Sequence, residues 1–148
     1  KKRLAIRNEL KVHNKQLADA AKDAGVETHK DYAVFQNFGY MGLYGGLKAA
    51  DIHAKKGLRK SHKILDYMGS TELAANLFRA TQTEEKLKRE NIKGKSAANI
   101  THHEIGKKVR QAIKEIGGTM PENLPTPQKS IKNIAKEVQK QLDSNVKN

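Results

Sequence analysis

The chain has no cysteine and no tryptophan. No disulfide can staple it and no thiolate can attack a substrate, and any metal would have to be held by nitrogen and oxygen alone. The lack of thiols fits a reducing compartment. Aromatic residues supply only 5% and hydrophobic residues 36% of the 148 positions, enough for one domain with a modest, largely aliphatic core. No apolar run approaches the roughly 18 residues of a membrane span, and no charged-apolar-small leader opens the chain. Neither membrane insertion nor an intact secretion signal is expected. The first residue is Lys, which suggests an excised piece of a longer protein. Strand-like alternation is also missing, so the expected fold is all-α, a compact bundle of about six or seven helices.

Acid is scarce: 16 Asp and Glu stand against 29 Lys and Arg, for a net charge of +13 and a pI near 9.9. Such a chain attracts polyanions through long-range fields and counterion release, which makes nucleic acid the leading partner class. The alternative is a Lys-rich face that only keeps a helical protein soluble. Clustering favours the first reading, because Lys48–Lys63 and Lys86–Arg110 are both strongly basic. The candidate nucleic-acid contacts are Lys86, Lys88, Arg89, Lys93, Lys95, Lys107, Lys108 and Arg110.

The segment Asp66–Glu90 organises the chain. Gly69 suits the end of the preceding segment, Ser70 an N-cap and Glu72 the first turn. Leu73, Ala74, Leu77 and Phe78 recur at helical spacing as a core face, while the basic residues crowd the far end. Thr81 and Glu84 have capping-box form, so a break after Ala80 is the alternative to one helix. Before this segment, a helix from about Lys2 to Ala24 carries Ile6, Leu10, His13, Leu17, Ala20 and Ala24 in a stripe. Thr28 and Asp31 cap a second helix, rich in aromatics, which should be ended by a turn within Gly39, Gly42, Gly45 and Gly46. Those glycines match no phosphate-loop pattern and indicate close backbone approach plus a turn. Tyr40 and Tyr44 are either buried amphipathic residues or stacking platforms for bases. Short helices over Leu47–Lys56 and Ser61–Met68 place Lys55, Lys56, Arg59, Lys60 and Lys63 around a turn that could contact a DNA backbone.

After Gly94, Ser96 caps a helix to Ile116 whose stripe is Ala98, His102, Ile105, Val109, Ala112 and Ile116. His102 then faces inward as a packing histidine, with His103 about 100° away and unable to share a metal with it. The helical domain is expected over 1–120, followed by a Pro-rich extended connector over 121–127 and an amphipathic basic helix over 128–148. Thr126 is the expected N-cap, with Pro127 at the first helical position. Ile131, Ile134, Ala135, Val138 and Leu142 give that last helix an oligomerisation face. Exchange between two identical chains would make a homodimer, and docking on its own domain is the alternative.

No GxSxG, HExxH or Walker pattern is present, so nucleophilic and zinc catalysis have no anchor. A carboxylate-plus-lysine nuclease could be sketched from Asp66, Glu84 and Lys86, but all three fall in helical sequence without convergent partners. No enzyme activity, cofactor or metal is expected.

Four strings carry a resemblance: DYAVFQNFGYMGLYGGL, ILDYMGSTELAANLFRATQTEEKL, GKKVRQAIKEIGG and MPENLPTPQKSIK. From Asp31 through Pro127 the chain resembles the bacterial DNA damage-inducible protein D family. The resemblance implies a cytoplasmic, non-enzymatic protein of the SOS response that restrains the RecA recombinase on DNA. The implied partners are DNA, single-stranded or filament-bound, and RecA itself. Members of the family carry a Bro-N-like domain ahead of this region, which would share those contacts.

Overall fold

Among the described residues the polypeptide winds into six α-helices and two short 3-10 turns, with no strand. The computed structural model describes residues 1–128 and 130–147, and for 131, 132, 146 and 147 the backbone alone. The helices are α1 (Lys2–Asp23), α2 (His29–Leu43), α3 (Ala49–Lys55), α4 (Ser70–Arg89), α5 (Lys95–Glu115) and α6 (Ile131–Lys147), with 3-10 turns at Ile64–Tyr67 and Pro121–Asn123.

Two helix pairs form the body. α1 runs alongside α4 in the same direction: Arg3 donates to the carbonyls of Met68 and Asp66 at one end, and the Gly94 N–H donates to the Ala24 carbonyl at 2.6 Å at the other. Between them Leu10, Leu17, Ala20, Leu73, Ala80 and Leu87 form one core cluster. α2 and α5 also run parallel, and a second cluster of Tyr40, Leu43, Tyr44, Ile52 and Val109 lies beside them. Their contact is glycine to glycine. A Cβ on Gly42 would overlap the His103 carbonyl, and one on Gly106 would lie 2.7 Å from the Gly39 carbonyl. Close approach is thus what Gly39 and Gly42 provide, and α2 runs through both before turning at Gly45 and Gly46, whose φ values are +65° and +103°.

Several local expectations hold and several shift. Thr28 caps α2 by accepting the Asp31 N–H at 3.0 Å, and α4 is one helix across Ala80. Its N-cap is Gly69, in extended conformation, and Ser70 is the first helical residue. The preceding segment is a 3-10 turn leaving through an extended Met68, so no helix end is there for Gly69 to close. α5 likewise begins at Lys95, after Gly94, rather than being capped by Ser96. The α4 face is also rotated: Glu72, Leu73, Asn76, Arg79, Ala80, Thr83 and Leu87 are buried, whereas Ala74 and Phe78 are exposed. On α5 the stripe holds to Val109, then Ala112 and Ile116 face outward while Ile113 is half-buried.

The expected extended connector contains the 3-10 turn at Pro121–Asn123, which is fastened to α5 through Glu122. α6 starts later than Thr126 and Pro127 suggest: the Ser130 hydroxyl accepts the Asn133 N–H at 3.2 Å. α6 lies against α1 and the Ile64–Tyr67 turn of its own chain. Ile134, Ala135 and Val138 are half-buried there and Leu142 stays exposed; the Ile131 side chain lies outside the described residues.

Candidate nucleic-acid interface

The basic residues expected to form one stripe occupy two regions. Lys86, Lys88 and Arg89 sit on the last turns of α4, Lys93 in the following turn and Lys95 at the start of α5. Lys107, Lys108 and Arg110 come three to four turns later, about 20 Å along α5 at its 1.5 Å rise.

Carboxylates meet most of these cations. Lys86 pairs with Glu90 at 3.0 Å, Lys88 with Glu84 at 3.9 Å, Arg89 with Glu85 at 2.6 Å and Lys95 with Asp31 at 3.5 Å. Desolvation pushes the Asp31 carboxyl up, but the Thr28 hydrogen bonds and the Lys95 charge together leave it below the usual range. Lys93 donates to the Asp23 carbonyl, so its charge is not neutralised. Exposed pairs of this kind are individually weak, yet they leave the α4–α5 corner with little net charge. On α5, Lys107 lies 3.8 Å from Glu104, and Arg110 is held by Glu122 at 2.8 and 2.9 Å. That hydrogen-bonded pair raises the Arg110 guanidinium; the Glu122 carboxyl, which burial alone would raise, is held low by it. Arg110 therefore reads as a clamp on the Pro121–Asn123 turn. Lys108 is exposed and has no carboxylate partner among the described residues.

The turn between α3 and the first 3-10 turn differs. Arg59, Lys60 and Lys63 are exposed or solvent-facing, and no carboxylate pairs with them among the described residues. Their backbone is fixed. His53 Nε2 lies 3.0 Å from the Arg59 carbonyl and 3.1 Å from the His62 carbonyl, and since carbonyls only accept, that nitrogen carries the proton. The Arg59 N–H donates to His62 Nδ1, and the His62 ring packs at a tilt against Tyr67, with centroids 4.8 Å apart. A rigid turn bearing unneutralised cations can bind phosphates without first paying an ordering cost.

Beneath this surface runs a buried polar chain that pattern reading missed. Lys56 donates to Glu72 at 2.7 Å, and the Tyr44 hydroxyl donates to the other Glu72 oxygen through a short hydrogen bond. Asn76 donates to the Tyr44 hydroxyl at 3.0 Å and accepts from Arg79 at 3.2 Å; Arg79 also donates to His102 Nε2 at 2.6 Å. His102 Nδ1 lies 2.8 Å from the Phe35 carbonyl. Arginine can only donate and a carbonyl can only accept, so His102 is neutral with its proton on Nδ1. Burial first, and the Arg79 charge second, hold its pKa well below the usual value. Arg79 stands 5.1 Å from the centre of the Tyr40 ring, and its pKa is lowered by burial. Tyr40 and Tyr44 are therefore core residues, with their hydroxyl pKa values raised by burial, and neither is open to stack on a base. Glu72, Asn76, Arg79 and Thr83 do share one helical face, so the signal was a polar stripe at helical spacing.

The residues of the nuclease sketch do not converge. Asp66 is bound by Arg7 at 3.0 Å before α4 begins, and Glu84 lies about 20 Å along that helix.

A family model described as the DinD C-terminal domain matches residues 1–134. The chain belongs to that family. The domain is 66% identical over 137 residues to DNA damage-inducible protein D of Escherichia coli (strain K12), a stretch covering 93% of this chain and 50% of that protein. It thus spans about half the length of the curated relative it matches. No solved structure matches it. The family match stops in the first turn of α6, so most of that helix lies beyond it. No helix among the described residues is long and apolar enough to cross a membrane.

Proposed function

We propose that this domain is a non-enzymatic accessory module of the bacterial DNA damage response. It associates with DNA, single-stranded or filament-bound, or with the RecA recombinase filament, and so modulates recombination in the cytoplasm. Membership of a DNA damage-inducible family supports the first part. The observation that carries the second is the fixed turn of Arg59, Lys60 and Lys63, backed by a net charge of +13 and by unneutralised Lys93 and Lys108. Contacts of this kind go to phosphates and carry no base preference.

Titration of labelled single-stranded DNA at two salt concentrations tests the reading. Affinity should fall steeply with salt, by about 0.7 in log–log slope for each phosphate contact. Replacing Arg59, Lys60 and Lys63 by Glu should lower that slope by about 2. Replacing Lys86, Lys88, Arg89, Lys93 and Lys95 by Glu should also weaken binding, with Lys93 contributing most, since the other four are held by carboxylates. Unchanged affinity in both variants would favour the second reading, that this is a structural or oligomerisation module. The relative's other half, beyond the matched stretch, makes that reading specific.

A further inference from the structure

Lys136 and Lys140 stand four residues apart in α6, one turn and about 6 Å of rise, so they share a face. Each is two residues from Val138, about 160° round the helix from it. Val138 is half-buried with Ile134 and Ala135, in a helix that lies against α1 and the Ile64–Tyr67 turn, and both lysines are exposed. The helix thus docks by its apolar face and presents two ammonium groups to solvent. No carboxylate pairs with either lysine among the described residues. Of the two acids of α6, Asp143 accepts from Gln139 at 2.9 Å, and Glu137 lies about 100° round from Lys136.

Resting on the DNA-binding reading above, we infer that Lys136 and Lys140 join the Arg59–Lys63 turn in one phosphate-binding surface for a DNA strand, of which α6 is the second half. Lys63 immediately precedes the 3-10 turn that α6 lies against, so the docked helix stands beside the segment whose cations are fixed by His53 and His62. A strand held at Lys63 finds two further ammonium groups on a helix already in place, and each phosphate they meet releases counterions. Charge and coverage together select this occupant. A membrane surface fits less well, because an interfacial helix inserts its apolar face, and that of α6 is turned to its own chain. A second copy would set one chain of net charge +13 against another.

The test is a titration of fluorescein-labelled oligothymidylate against the whole chain at several salt concentrations. Lys136→Ala with Lys140→Ala keeps good helix formers in α6 and removes two phosphate contacts, so the log–log slope should drop by about 1.4. Lys136→Arg with Lys140→Arg should restore it. Lys30→Ala with Lys114→Ala takes the same charge from α2 and α5 and should leave the slope unchanged. Ile134→Gln with Val138→Gln keeps both lysines but frees the docked face, and should weaken binding; unchanged affinity there would mean that a loose basic tail suffices and would overturn the fixed surface. An unchanged slope in the alanine pair, while changing Arg59, Lys60 and Lys63 still lowers it, overturns the role of α6 alone. No salt-dependent binding by the wild type overturns both this role and the DNA-binding reading beneath it. Phosphatidylglycerol vesicles that the wild type binds and the alanine pair does not, at constant DNA affinity, would give the two lysines to a membrane instead.

Discussion

Gly42→Ala sets two effects of known size against each other. Gly42 lies inside α2, where alanine is favoured over glycine by about 1 kcal/mol. If the position were merely helical, the variant would be more stable. The new methyl group, however, would overlap the carbonyl oxygen of His103 and stand 2.9 Å from the Lys107 nitrogen and 3.1 Å from the Gly106 Cα. All three are backbone atoms of α5 and cannot rotate aside, so the helix itself has to move. Overpacking of this kind costs about 1–3 kcal/mol. A displaced α5 also strains the 2.8 Å bond from His102 to the Phe35 carbonyl, and leaving a buried partner unsatisfied costs a further 1–3 kcal/mol or so. The losses exceed the propensity gain, and a net destabilisation of about 2 kcal/mol or more is expected. At about 2–4 °C per kcal/mol for a chain of this size, Tm should fall by roughly 4–8 °C in a circular dichroism melt. Gly39→Ala gives an internal comparison, because its methyl would meet the His102 ring rather than backbone. Shortening His102 to alanine should therefore couple more strongly with Gly39→Ala, where it removes the clash itself, than with Gly42→Ala, where it removes only the strained Phe35 bond. A Tm that stays constant or rises in Gly42→Ala would refute direct backbone contact between α2 and α5.

Two further outcomes are expected. His102 is buried neutral with its pKa depressed, so the unfolded chain binds the extra proton first: its contribution is complete above the unfolded value near 6.5 and is lost as pH falls below it, by at most about 1.4 kcal/mol per pH unit. Urea titrations at neutral and mildly acidic pH measure that slope, and an NMR signal showing a charged His102 ring in the folded protein at pH 6 would contradict it. For α6, light scattering on the chain with and without residues 130–148 should give a monomer in both cases if the helix stays on its own α1; a dimer that dissociates on truncation would instead support exchange.

The helices were legible because their signals are local. The Thr28 cap, the apolar spacing of α1 and the glycine stops need only nearby residues to be recognised, and the close approach at Gly39 and Gly42 follows from glycines placed inside an otherwise aromatic helix. The segment Ser61–Met68 misled because His53 and Arg7 tie its backbone and Asp66 into place, contacts that arise from distant parts of the chain. The basic stripe looked stronger in the sequence than on the surface. Glu84, Glu85 and Glu90 are interspersed among its lysines, and helical spacing turns that interspersion into neutralising pairs. The turn from Arg59 to Lys63 has no acid within it, and there the linear pattern and the surface agree.

The rotation of α4 follows from competition between its two faces. One face offers Ala74 and Phe78; the other, through Glu72, Asn76, Arg79 and Thr83, offers hydrogen bonds. Hydrophobicity alone would bury the first. Each polar group on the second would be costly to bury unpaired, but the end of α2 brings Tyr44, the end of α3 brings Lys56 and α5 brings His102, so nearly every donor and acceptor is met. The arrangement is also specific, because the Arg79 and His102 nitrogens meet only when α5 sits in one register against α4, whereas an aliphatic seam would tolerate sliding. Once the polar stripe takes the interior, Phe78, about 100° from Arg79 on the same helix, is carried outward toward Ile116. The exposure of Phe78 is therefore a consequence of which face the buried network selects.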